Sequence, residues 1–163
     1  LRQASLMWDQ AVEKEPSRPE PAAFRAWSFA IAGHEDADTA VGEVLEDEPD
    51  NQLGCLGRAI LALRNRDIEV AVASVDQARR GRDIPQARAF ERTLVAIRRL
   101  KTDGTWPPET ALVEAAICMA NGSPEAADQA LKTYSDEHPD SRWLYLKERI
   151  GRWSATAPTA SQP

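Results

Sequence analysis

Small and apolar residues recur along this chain at helical spacing. Ala4, Trp8, Ala11 and Pro16 follow the pattern A-x3-W-x2-A-x4-P. Ala37, Val41, Val44 and Pro49 repeat that spacing, as do Ala127, Leu131, Tyr134 and Pro139. Ala71, Val75 and Ala78 supply the first three members, with Asp83 where the proline would stand. The leading residues are Ala4, Ala37, Ala71 and Ala127, and the first three of them are almost evenly spaced. Chance would give the full pattern only about 0.3 times in a chain of this length and composition. Positions 0, 4 and 7 of the pattern share one helical face. A small residue at position 0 lets a neighbouring helix approach, the larger two fill the space between, and the proline ends the helix.

The segments preceding these helices predict partners for them. Phe24, Trp27 and Ile31 surround Ser28, Leu53, Leu56 and Ile60 surround Gly57, and Leu112, Ala115 and Met119 surround Ala116. Polar turns join the halves at Gly33–Asp36, Asn65–Asp67 and Asn121–Pro124. In the last, Ser123 is placed to cap and Pro124 to open the next helix. Short amphipathic helices of this kind do not stay folded alone and have to shield one another.

The spacing resembles the W-x2-L-G-x2-Y…A-x3-F…P signature of the tetratricopeptide repeat, a helix–turn–helix of about 34 residues. The step from Ala4 to Ala37, and again to Ala71, is close to that length. The chain is similar to a degenerate array of that family over residues 1–149, matching best in the second-helix halves. Two departures stand out. The chain opens on what reads as a second helix, beginning at Leu1 without methionine or a signal-type segment, as an excised or processed piece would. Ala71 and Ala127 are also much further apart than one repeat. The excess predicts an added helix within Pro85–Lys101, where Phe90, Leu94, Ile97 and Leu100 keep helical spacing. A final helix over Asp140–Trp153 would cap the stack. The expectation is therefore an all-α, right-handed α-solenoid of antiparallel helix pairs with about nine helices, a repeat domain over 1–153 and a disordered tail over 154–163.

Composition supports helices and restricts chemistry. Of 163 residues, 42% are hydrophobic and 28% charged, with 27 alanines, a soluble-globular balance that favours helix over sheet. No apolar run reaches the roughly 18 residues a membrane-spanning helix needs. Charge is uneven: residues 1–57 carry a net −8, residues 58–101 a net +6 and residues 102–163 a net −4. The basic middle predicts an acidic partner, or self-association with the acidic N-terminal third of another copy. Its arginines lack interleaved aromatic residues other than Phe90, which argues against nucleic acid.

Candidate catalytic groups are sparse. His34 and His138 fall in predicted turns, the second beside Pro139, and Asn121-Gly122-Ser123 reads as a turn before it reads as a glycosylation acceptor. Cys55 and Cys118 sit in apolar helical patterns as packing thiols, with no CxxC or Cys/His cluster to imply zinc or a disulfide framework. They do not distinguish a cytoplasmic from a periplasmic location. Trp8 and Trp27 occupy packing positions, whereas Trp106 and Trp153 read as exposed contacts or contacts of a missing neighbour. Hence no metal, cofactor or enzymatic activity is expected. The resemblance implies a non-catalytic module that holds a protein or peptide partner, acidic or amphipathic, on the concave surface lined by first helices. Ala22, Arg25 and Phe29 of one helix, and Asn51, Arg58 and Leu61 of the next, would face that groove. The alternative is a regulatory or scaffolding segment of a larger enzyme or envelope complex, packed on its own upstream chain.

Overall fold

The computed structural model describes residues 19–81, 87–102 and 106–153. Among these residues it holds eight α-helices and no strand. They are α1 (Pro19–Ala32), α2 (Ala37–Asp47), α3 (Gln52–Arg64), α4 (Ile68–Arg80), α5 (Ala87–Thr102), α6 (Thr110–Ala120), α7 (Pro124–Glu137) and α8 (Leu144–Gly151). The protein is all-α, as its composition predicts. The first expected helix, around Ala4–Pro16, and the tail 154–163 lie outside the described residues. The added helix is α5. The last helix is shorter than the expected 140–153, because Ser141 N–H and Leu144 N–H close tight turns onto the His138 and Ser141 carbonyls before α8 begins.

The expected second helices are α2, α4 and α7, and all nine of their alanine and apolar anchors are buried. Where proline follows, the ends match. Glu48 and His138 both have φ of −133° and both donate their N–H to the carbonyl four residues back, Val44 and Tyr134. That extended backbone is what a following proline demands. Segments 37–50 and 127–140 alternate buried, half-buried and exposed residues identically except at one position, Ala40 being buried and Ala130 half-buried.

Three hairpins, α1–α2, α3–α4 and α6–α7, close on the same turn. Gly33, Arg66 and Gly122 have φ of 69°, 60° and 73°. The next residue in each case, His34, Asp67 or Ser123, donates its N–H to the carbonyl five residues back, at 3.0, 2.8 and 2.9 Å. A left-handed residue with this back-bond satisfies carbonyls that the helix end leaves open. Each turn stands just ahead of its second helix's leading alanine, Gly33 before Ala37, Arg66 before Ala71 and Gly122 before Ala127, so the two series keep nearly the same step. Ser123 precedes α7 and Pro124 opens it, but the serine side chain makes no capping bond. Asp67 does cap, accepting from Val70 N–H at 3.1 Å.

Aligned on these turns, the first helices take a register different from the one their large residues suggest. Trp27, Ile60 and Ala116 correspond, and one residue before them stand Ala26, Ala59 and Ala115, all inaccessible to solvent. This recurring alanine is the common small residue. Gly57 serves a local purpose instead: a β-carbon there would lie 2.9 Å from Val41 Cγ2, so its absence lets α2 seat against α3.

Second helices pack on the following first helix, α2 on α3, α4 on α6 and α7 on α8, while α1 also packs on α3 and α6 on α8. Between the second and third hairpins the order changes. Among the described residues α3 and α6 make little or no direct contact; each instead meets α5. One core runs through every helix, from Ala26 through Val41, Leu56, Val72, Ile97 and Leu112 to Leu131 and Ile150.

Candidate functional site

A candidate surface is built where α5 packs against α6, with a smaller contact to α3 and a side-chain hydrogen bond to α1. α5 buries Ala89, Phe90, Thr93, Ala96 and Ile97 and exposes Arg88, Glu91, Arg92 and Val95. Buried residues at i, i+3/i+4 and i+7 form a single stripe, as expected of a helix lying on a surface. Trp27 Nε1 of α1 donates to Thr93 Oγ1 at 3.0 Å, a buried bond between residues far apart in sequence. On the side toward α6, Arg98 Nε donates to Glu114 Oε1 at 2.7 Å, and Lys101 Nζ lies 3.5 Å from Glu114 Oε2. Thus α5 touches α1, α3 and α6, the first helices of three hairpins.

The six residues expected in the groove have these surroundings. Arg25 Nη2 lies 3.9 Å from Glu43 Oε2 of α2, and its guanidinium carbon 6.0 Å from the centre of the Phe29 ring. Phe29 is buried and stacked on His34 at 4.3 Å. Ala22 is half-buried on α1. Asn51 caps α3, accepting from Gly54 N–H at 3.0 Å and donating to Glu48 Oε2 at 2.8 Å. Arg58 Nε donates to Ser74 Oγ at 3.0 Å, and a second guanidinium nitrogen donates to Gln77 Oε1 of α4. Arg58 and Leu61 share a hollow of about 390 Å³ with Val41, Leu45 and Val70, on the flank where α2, α3 and α4 meet. Arg25 and Arg58 are thereby tied to the second helices of their own hairpins.

Other candidate residues settle as packing groups or surface features. Cys55 and Cys118 are free and buried. Burial raises both thiols, Cys55 to about 11 despite the opposing pull of Arg58, which leaves them protonated at neutral pH. Trp153 is buried with the Arg79 guanidinium 4.7 Å from its ring centre, correcting its reading as an exposed contact. His138 lies against Tyr134, whose hydroxyl is 2.6 Å from Ser141 Oγ; desolvation raises the tyrosine pKa. Among the described residues no group of three or more His, Cys, Asp or Glu side chains is placed to hold a metal ion. No helix among them is long and apolar enough to cross a membrane.

One grouping could not be found from spacing. Trp106 joins Arg64 and Arg66, which come much earlier in the chain, around a hollow of about 260 Å³ closed by Leu63 and Pro107. No protein-family model matches the chain, and no curated protein or solved structure matches it either.

Proposed function

We propose that this chain is a non-catalytic protein-interaction scaffold of the tetratricopeptide type. In this reading the hairpins form a right-handed α-solenoid whose inner surface, lined by α1, α3 and α6, holds an amphipathic segment of a partner during complex assembly. The observation that supports it is α5, an amphipathic helix that buries Phe90, Thr93 and Ile97 while packing on α6 and α3 and bonding to α1 through Thr93. A surface that accepts such a helix from its own chain has the shape and apolar character to accept one from another. The shared turn and the recurring buried alanine support a repeated unit, and repeated units stacked at a constant angle generate a curved surface. The partner's helix and α5 compete for the same face.

The test uses α5 itself as the probe. A labelled peptide spanning 87–102 is added to the full chain and to a Phe90→Ser, Ile97→Ser double variant, in which the resident helix is weakly held. The variant is expected to bind the peptide at least about tenfold more tightly than the wild type, because its face is vacated more often. Equal binding, or none, by a variant that keeps its helical circular dichroism would contradict the reading.

A further inference from the structure

We propose that the hollow between Arg64, Arg66 and Trp106 binds carboxylates of an acidic peptide segment of another protein. The site lies beside the α3–α4 turn, so the inference does not depend on the first-helix face holding a partner. Arg64 is anchored there. Its Nη2 donates to Ile31 O at 3.1 Å, and its guanidinium carbon is 5.8 Å from the Trp106 ring centre. That bond uses one of five guanidinium donors. Arg66 is the second cation, and it is held where the fold would be better served by glycine. The corresponding turns carry Gly33 and Gly122, whereas Arg66 adopts φ of 60° with a β-carbon. Its side chain is exposed and has no hydrogen-bond or ion-pair partner among the described residues. The turn gains nothing from arginine, while the hollow gains a guanidinium.

The chemistry selects the ligand. Guanidinium groups bind carboxylates through paired, charge-assisted hydrogen bonds. The Trp106 indole with Leu63 and Pro107 offers an apolar wall for the adjoining side chain. The opening accommodates one or two side chains and suits discrete carboxylates. A single-stranded nucleic acid suits it less, since Trp106 is the one aromatic ring among the described residues lining the hollow and successive bases would have no second ring to stack on.

A fluorescein-labelled hexapeptide, Glu-Asp-Phe-Glu-Asp-Phe, and a labelled 12-nucleotide RNA would be titrated with the full chain in parallel. Tighter binding of the peptide is expected. Arg66→Gly should weaken it by about tenfold while raising the melting temperature, opposite movements that a folding defect cannot produce. Arg66→Lys should recover part of the affinity, and Trp106→Ala should lose affinity without changing the salt dependence. Unchanged peptide binding by Arg66→Gly would overturn the proposal, and so would tighter binding of the RNA.

Discussion

The outer hairpins α1–α2 and α6–α7 close on Gly33 and Gly122 and are followed by Pro49 and Pro139; the middle hairpin closes on Arg66 and ends without proline. Its second helix, α4, stops at Gly81, where a β-carbon would come within 2.9 Å of Asp50 O. It also buries polar groups that the outer second helices do not, with Ser74 holding Arg58 and Asp76 holding Arg79 and Arg80. α5, the helix foreign to the repeat, follows directly after it. Three copies of one backbone turn therefore do not carry equal tasks. The outer copies use residues that adopt the turn without strain, and the middle copy departs where surfaces other than its own hairpin must be met.

Substitutions can break or sharpen this contrast. The largest loss is expected from Phe90→Ala, about 3–5 kcal/mol by chemical denaturation, if the helix after the middle hairpin belongs to the common core. A loss below about 1 kcal/mol would mark α5 as an appendage. Gly57→Val should cost about 1–3 kcal/mol by overpacking, because Val41 of the first hairpin already lies against that position. Gly42→Ala, with nothing within 4 Å of the added carbon, should stabilise by about 0.5–1 kcal/mol. Arg66→Gly should stabilise, and Gly122→Ala destabilise, each by about 1 kcal/mol; equal signs would deny that the two turns share a conformation. A pH-dependent effect concerns Cys55. Its thiol is raised from 9.0 to about 11 by burial, so the folded state holds the proton more tightly than the unfolded one. That contribution is fully present below about pH 9 and is lost as pH rises toward 11. Wild type should lose stability relative to Cys55→Ala across that window, and Ellman's reagent should not reach the thiol in the native chain at about pH 8.

Second helices are legible in the sequence because one face, a small residue at its head and a terminating proline leave a pattern of fixed spacing. α5 is legible from the long gap between Ala71 and Ala127 and from its own periodicity. First-helix register is not. Large residues around Ser28, Gly57 and Ala116 suggest an anchor, yet the turns align Ala26, Ala59 and Ala115, two residues before, two after and one before those positions. Arg66 conceals the common turn, since only two of the three positions are glycine. The expected groove residues rest on the same first-helix spacing. Spacing points Arg25 and Arg58 toward a guest, and the structure ties them to Glu43, Ser74 and Gln77. The grouping of Arg64, Arg66 and Trp106 depends on tertiary packing, and no local spacing announces it.

Crossing of the first helices by α5 is the claim on which both the fold's order and the proposed function turn. It is tested most directly by a double-mutant cycle between Trp27→Phe and Thr93→Val, which removes the indole donor, the hydroxyl acceptor, or both. If α5 lies on α1 as described, each single variant strands or loses a buried partner, and the two should be coupled by about 1 kcal/mol. Additive losses, with coupling under about 0.3 kcal/mol, would contradict the crossing.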